Sequence, residues 1–363
     1  VQLKKKDKVV VAMSGGVDSS TVAAILNDQG YEVVGVTLQL YDVGEMASKK
    51  GACCAGQDIY DAKMAADKIG IPHYVLNYES LFSKKVIEDF AESYIQGETP
   101  IPCIKCNQKV KFEDLYKMAK DLGAKALATG HYVRKVNVDN ENMLLKGVDS
   151  NKDQSYFLFT TTNEQLDFLE FPLGGLTKEE TRKLAKKYEL NISDKPESQD
   201  ICFVPNGNYS EIIKKLKPES YMQGDIVNLD GEVLGKHDGV VNFTIGQRRR
   251  IGVSNDKPLY VIKIDPKNNR VIVGEKEDLK SIRLKIKELN WLSNKECLKD
   301  NIKCSVRLRS NHKEIDANMK YLGGGFADIT LESSYYGITP GQACVMYDGD
   351  RVLGGGWIMR EDC

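Results

Sequence analysis

At 363 residues the chain is long enough for two or three domains, each with its own core. Its 51 Lys and Arg against 52 Asp and Glu leave a formal net charge of −1, so a nucleic-acid partner would have to be held by local basic patches. No apolar run is of membrane-spanning length, the Lys-rich start lacks a signal-peptide core, and nine unevenly spaced cysteines do not read as a secreted disulfide scaffold; a cytoplasmic protein with no membrane partner is expected.

The first element is the apolar run Val9-Val10-Val11-Ala12. It breaks at Ser14-Gly15-Gly16 and resumes after Asp18-Ser19-Ser20 as Thr21–Leu26. The pattern predicts a buried strand, a tight glycine turn and a helix. Adjacent glycines let the backbone approach a ligand, the turn gathers N–H groups, and the helix dipole favours an anion there. An ordinary strand–helix turn needs one glycine and one cap, not a Ser-Gly-Gly-Val-Asp-Ser-Ser run. No Gly-Lys-Ser/Thr follows, which excludes a Walker A loop. The stretch resembles the PP-loop of ATP pyrophosphatases, which split ATP to AMP and pyrophosphate by adenylating a substrate.

Tyr31–Leu38 is the next predicted strand, completing a βαβ unit. Ligands of open α/β sheets lie beyond the carboxyl ends of the strands, so Leu38 falls near an adenine site, although ordinary core explains it equally well. Residues 41–57 read as a loop whose Cys53-Cys54 pair is incidental. A helix is predicted over Asp58–Ile69, with Ala62, Ala65, Ala66 and Ile69 on one face, and a strand over His73–Leu76. Alternating strands and helices imply a doubly wound parallel sheet.

Thr99–Asn107 carries Pro100 and Pro102 and reads as a stiff, extended loop that cannot be helical. On that reading the cysteine at its end, Cys106, is presented rather than packed, and Lys105, Lys109 and Lys111 favour its thiolate. The Cys103-x-x-Cys106 spacing lacks the second pair a zinc ribbon requires, while a thioredoxin-like redox pair stays open. Ala126–Tyr132 is an apolar strand ending in Thr-Gly-His, with Gly130 permitting close approach and His131 exposed on the ligand edge; structural and site roles are balanced there. In Asn151–Leu158, Lys152 and Gln154 suit a phosphate or base edge, or else a solvated turn. Cys202, in Lys195–Phe203, reads by itself as a buried core thiol.

After Pro205-Asn206-Gly207-Asn208 the helix–strand alternation stops and period-two segments dominate, including Gly224–Leu229, Lys257–Ile264 and Arg270–Val273. Asp230-Gly231 and Asn268-Asn269 mark hairpin turns. Gln247-Arg248-Arg249-Arg250 is the sharpest basic cluster and suits phosphate contact. From about Lys280 the strands Ile282–Leu289, Ile302–Leu308, Asp328–Leu331, Gln342–Tyr347 and Val352–Ile358 predict a small barrel, with Arg307 and Arg309 on one strand face. Cys297, Cys304, Cys344 and Cys363 show no ligand spacing. The expected division is 1–205, 206–278 and 279–363: an α/β domain with a doubly wound parallel sheet of PP-loop type, then two small β-rich domains, the last a β-barrel.

An adenylating loop together with Cys106 and Cys202 suggests sulfur transfer coupled to adenylation. From Val9 to its C-terminus the chain resembles the bacterial tRNA-specific 2-thiouridylase family, on Ser14–Ser20, Thr99–Phe112, Ala128–Tyr132, Ser150–Leu158, Glu197–Phe203, Thr244–Arg248, Thr339–Gln342 and Leu353–Gly356. The resemblance implies Cys106 as nucleophile and Cys202 as the cysteine bearing a persulfide intermediate, with Asp18 in the catalytic loop. It implies ATP, with Mg2+, at Ala12, Met13, Ser14, Gly15, Gly16, Val17, Asp18, Ser19, Leu38 and Gly130. Ile101, Pro102 and Cys103 would meet the target uridine, and His131, Lys152, Asp153, Gln154, Arg307, Leu308 and Gln342 would contact tRNA. The implied product is 2-thiouridine at the wobble position, 34, of the tRNAs for Lys, Glu and Gln, with a cysteine desulfurase or sulfur-relay protein as donor.

Cys103 stands where many members of that family carry Asp. Cys103, Cys106 and Cys202 could therefore hold an iron–sulfur cluster, but three thiolates leave a cluster incomplete, and a cluster-free persulfide relay is favoured. Another PP-loop synthetase explains the loop but not the cysteines. An RNA-binding module with a vestigial loop explains the arginines but not Asp18, Cys106 and Cys202 together.

Overall fold

Val9, Val10 and Val11 are fully buried, on both faces of their strand, which places β1 (Lys8–Ala12) at the centre of a sheet covered on both sides. The computed structural model describes residues 3–41, 55–196, 201–204, 207–293, 298 and 301–360. Cys53, Cys54, Cys297 and Cys363, and Glu197–Asp200 of the block around Cys202, lie outside the described residues.

The chain divides into two compact units, Val1–Val86 with Cys103–Gly207 and Asp350–Val352, and Ile87–Pro102 with Asn208–Gly349 and Leu353–Cys363. The first is built on a parallel sheet of β1, β2 (Glu32–Gln39), β3 (His73–Asn77), β4 (Ala126–Ala128) and β7 (Leu169–Glu170), ordered β3-β2-β1-β4-β7. Helices Val17–Asp28, Ala55–Ile69 and Lys178–Lys187 share one core with Val9, Val11, Met13, Ala126 and Ala128. In the second helix Ala62, Ala65 and Ala66 are buried and Ile69 is half-buried, the face that the spacing predicts. The unit also carries an antiparallel hairpin absent from the sequence reading, β5 (Val133–Val138) and β6 (Glu141–Lys146). Asp139 and Asn140 both take left-handed φ in its two-residue turn (50° and 66°), the geometry such a turn demands. Arg134 pairs with Asp350 at 2.6 Å and Arg351 with Glu141 at 2.8 Å beside it.

The second unit holds a four-stranded sheet and a closed barrel. In the sheet, β8 (Gly224–Val227), β9 (Val233–His237), β10 (Tyr260–Asp265) and β11 (Arg270–Gly274) are ordered β10-β11-β8-β9 around Ile226, Val261, Ile264, Val271 and Val273. A helix, Tyr209–Leu216, precedes it, so helical structure does not stop at the predicted boundary. The barrel runs β12 (Lys280–Trp291), β15 (Phe326–Tyr336), β14 (Ile315–Gly323), β13 (Asn301–Arg307), β16 (Ala343–Asp348) and β17 (Arg351–Ile358), and β12 pairs with β17 to close it. The glycine run belongs to that seam: a Cβ on Gly354 would lie 2.2 Å from the Asn290 carbonyl oxygen, and one on Gly356 2.8 Å from that of Lys287. Among the described residues no helix is long and apolar enough to cross a membrane.

The expected extended loop at 99–107 is corrected. Pro102–Cys106 is helical, and helical turns continue through Asn107–Leu115 and Tyr116–Asp121. Pro102 opens the helix, where its missing N–H has no intrahelical acceptor to lose and its fixed φ already suits the turn.

Candidate active site

The chain leaves β1 towards β2 on one side, while β4 lies on the other, so the carboxyl ends of β1 and β4 flank a topological switch point. The Ser14–Ser19 loop and Gly130 both sit there. The Ser14 N–H donates to Ser19 Oγ at 3.0 Å, and Gly15 has φ of +72°. A Cβ on Gly15 would stand 2.1 Å from the Asp58 carbonyl oxygen, and one on Gly130 2.9 Å from the Ser19 nitrogen, so glycine is required at both positions. No side chain caps the helix that begins after Gly16, which leaves N–H groups of its first turn open to an anion. Met13 and Val17 bury their side chains in the core, the Met13 N–H donates to Val36 O at 2.8 Å and its carbonyl accepts from Thr37 Oγ1 at 2.8 Å. Leu38 is half-buried at the end of β2.

Asp18 points to two partners that sequence reasoning missed in these roles. Lys178 Nζ lies 2.7 and 2.8 Å from its carboxylate oxygens, and the Tyr132 hydroxyl donates to Oδ1 at 2.8 Å. Lys178 is 9% exposed, held at the start of its helix by the Thr177–Glu180 capping box. A second lysine, Lys195, reaches the Gly15 carbonyl at 3.0 Å, Asp58 at 2.8 Å and Asp61. Burial works against its charge, but the two carboxylates outweigh that and hold its pKa up. Two ammonium groups thus border the glycine loop, as binding of a polyphosphate requires.

The thiols depart from expectation. Cys106 is buried, not presented, whereas Cys202 is exposed rather than a core thiol; Cys103 is exposed. Desolvation raises Cys106 above the ordinary thiol range, Lys111 opposes it, and Cys103 adds to it. The same desolvation raises Cys103, again against Lys111. Cys202, exposed as a residue, nonetheless has its thiol in a desolvating setting, and that together with Cys106 and Cys103 pushes it up to about 12, with Lys111 again opposing. The lysine-stabilised thiolate expected from the sequence is therefore corrected: one nearby cation does not offset burial. The three thiols nonetheless share one electrostatic neighbourhood with Lys111, whose ammonium donates to Asn107 Oδ1 at 3.0 Å. Among the described residues no three His, Cys, Asp or Glu side chains converge to hold a single metal ion.

His131, expected to be exposed, is half-buried; Thr129 Oγ1 lies 2.9 Å from its Nδ1 and Phe112 packs edge-on. Burial, reinforced by Lys111, lowers it to about 3, which keeps the ring neutral near pH 7. Gln154 Oε1 accepts the Tyr132 N–H at 2.9 Å, and Asp153 accepts from Gly147 N and from Ser155, so both brace the turn that also carries Lys152. In the other unit, Gln342 Nε2 donates to Thr99 O at 2.8 Å, tying the stretch before Ile101 and Pro102. Arg307 pairs with Glu314 at 2.9 Å over the Tyr347 ring, and Leu308 is barrel core, so any contact from Leu308 is through backbone. Arg248, Arg249 and Arg250 are exposed.

Comparison with known proteins shows what the chain is similar to. Residues 7–206 match the family model of a tRNA methyl transferase HUP domain, 210–275 a tRNA methyl transferase PRC-barrel domain, and 281–358 an aminomethyltransferase β-barrel domain. A tRNA-specific 2-thiouridylase MnmA of Rickettsia canadensis (strain McKiel) is 57% identical over 359 residues, covering 98% of this chain and 97% of that one. Its counterpart in Rickettsia massiliae (strain Mtu5) is 56% identical and covers 98% of both chains. A solved 4-thiouridine synthetase–RNA complex with bound ATP is 18% identical over 59% of this chain and 51% of that one, with a TM-score of 0.36.

Proposed function

The chain belongs to the tRNA-specific 2-thiouridylase MnmA family and is a tRNA-uridine 2-sulfurtransferase, and from that premise we propose that it thiolates the wobble uridine of the tRNAs for Lys, Glu and Gln through a cysteine persulfide. The observation that carries the reading is the presence in one compact unit of both a glycine loop bordered by Lys178 and Lys195 and three mutually interacting thiols. Ser14–Ser19 and Gly130 would hold ATP, with Leu38 towards the adenine, and Mg2+ would supply charge neutralisation for the departing pyrophosphate.

The uridine O2 attacks the α-phosphorus, the bond to the β-phosphate oxygen breaks, and pyrophosphate leaves with the electron pair. The terminal sulfur of a Cys202 persulfide, loaded by a cysteine desulfurase or relay protein, then attacks C2, and AMP departs with the former O2. Cys106, as thiolate, attacks the Cys202 sulfur, releasing 2-thiouridine and leaving a Cys106–Cys202 disulfide; two thiolates thus supply the two electrons that reduce the transferred sulfur. An external dithiol restores both cysteines. Residues 1–205 perform this chemistry, and 206–278 and 279–363 hold the tRNA, in the cytoplasm.

The test incubates tRNA, ATP, magnesium and a persulfide source with the enzyme and quantifies 2-thiouridine at position 34. Cys106→Ser and Cys202→Ser are each expected to abolish it, and a normal rate in either variant would overturn the relay.

A further inference from the structure

We propose that Cys103 is the resolving thiol of the relay: its sulfur attacks that of Cys106 in the Cys106–Cys202 disulfide, and the disulfide moves to Cys103–Cys106 within one helical turn. The proposal rests on the persulfide relay proposed above, whose turnover ends with Cys106 joined to Cys202. Cys103 and Cys106 stand three residues apart in the helical turn Pro102–Cys106. With a rise of about 1.5 Å per residue and a radius of about 2.3 Å, that spacing puts their Cα atoms about 5 Å apart, inside the range of about 4.4–6.8 Å that a disulfide spans. In an extended loop the same spacing covers about 10 Å, so the helix is what makes the pair possible. Their Cβ atoms have about 1 Å left to close, and the first turn of a helix, whose N–H groups have no acceptor within it, gives that much. The third thiol is at hand: Cys202 feels the charge of both Cys103 and Cys106, and Cys106 that of Cys103, all within one unit.

The two cysteines of the turn differ in access. Cys106 is buried, whereas Cys103 is exposed as a residue. A dithiol from solution therefore meets Cys103 and not Cys106, and the Cys106 sulfur is reached from a neighbour already in the site. In the exchange the bond between the Cys103 and Cys106 sulfurs forms and the Cys106–Cys202 bond breaks. Cys202 leaves with the electron pair and takes up the proton that Cys103 gave up, so nothing is oxidised or reduced overall. Desolvation favours the neutral thiol at Cys202, and the released sulfur keeps that proton. Cys202 is thereby free for the next persulfide before any reductant is consumed. The external dithiol acts afterwards: one of its sulfurs attacks Cys103, Cys106 leaves as thiolate, and its second sulfur releases Cys103, so that the dithiol gives up two electrons and ends as a disulfide.

The experiment uses the full-length wild type. Cys202 is loaded with persulfide, excess donor is removed, and tRNA, ATP and Mg2+ are added with no reductant. Samples are quenched in acid over time, free thiols are alkylated, and the disulfides are mapped by mass spectrometry; trypsin cuts after Lys105, so a Cys103–Cys106 disulfide joins two separate peptides. Cys106–Cys202 is expected to appear first and to be lost as Cys103–Cys106 accumulates, with Cys202 recovered as free thiol. Oxidation of the same protein by one equivalent of diamide, without tRNA, is expected to end on Cys103–Cys106 as well. Cys106–Cys202 persisting in either arm while Cys103 alkylates, or a Cys103–Cys202 disulfide as the end product, would overturn the proposal. No 2-thiouridine, or 2-thiouridine formed with no disulfide at Cys106, would instead overturn the relay beneath it, and the diamide arm reads the exchange separately from that outcome.

Discussion

The ion pair between Lys178 and Asp18 sets a magnitude that can be checked. The Lys178 side chain is 11% exposed and that of Asp18 31%, between the exposed pairs that contribute about 0–1 kcal/mol and the buried ones whose breakage costs about 3–5 kcal/mol. Lys178→Met leaves Asp18 with the Tyr132 hydroxyl but no counter-charge, and is expected to destabilise the first unit by about 2 kcal/mol, or about 4–8 °C in Tm for a body of this size. Because the cost lies in the orphaned carboxylate, Asp18→Asn in the same chain should recover much of it, giving an interaction energy of about 1–2 kcal/mol in a double-mutant cycle. The probe matters. Both tryptophans, Trp291 and Trp357, lie in the barrel strands β12 and β17, so their fluorescence does not follow the first unit. Far-UV circular dichroism at the helical band does, since the helices Val17–Asp28, Ala55–Ile69 and Lys178–Lys187 all stand there. Additive single effects, with an interaction below about 0.5 kcal/mol, would refute the argument that Lys178 is held for Asp18.

Two further outcomes follow from the same geometry. With Cys202 pushed up to about 12, it is protonated at neutral pH, and its alkylation rate should climb about tenfold per pH unit through pH 10 without levelling; a plateau near pH 8–9 would show the thiol to be unperturbed. Gly130→Ala places a Cβ 2.9 Å from the Ser19 nitrogen, where backbone and not a flexible side chain must yield, so ATP affinity measured by calorimetry should fall by about tenfold or more; an unchanged Kd would separate Gly130 from the nucleotide site.

What the sequence made legible is local. Val9–Leu26 announces its strand, turn and helix because the apolar run, the two glycines and the second apolar run are contiguous, and the structure has all three, with the helix starting at Val17, ahead of the second apolar run. Pro100 and Pro102 misled because proline excludes helix interiors but suits a first turn, and the sequence does not say which of the two a given proline occupies. Strand β14 escaped notice because its buried residues, Ala317 and Met319, alternate with Asp316, Asn318 and Lys320, a period too short and too weakly apolar to stand out. Lys178 was illegible for a different reason: its partner is 160 residues away, and nothing near Thr177-Lys178-Glu179-Glu180 distinguishes a site lysine from a helix-capping run.

The two halves of the site also differ in readiness. The glycine loop is prebuilt: its close approaches are fixed by backbone, its helix end is uncapped, and its lysines are held in place by carboxylates. At the thiols the opposite holds. Desolvation of Cys103, Cys106 and Cys202 favours the neutral form of each, and Lys111, the one cation opposing all three shifts, does not reverse it. A thiol that stays neutral until needed neither alkylates nor oxidises readily, since the thiolate is the reactive form. On the proposed relay, Cys106 must therefore lose its proton after substrate arrives, when adenylation has already made C2 electrophilic.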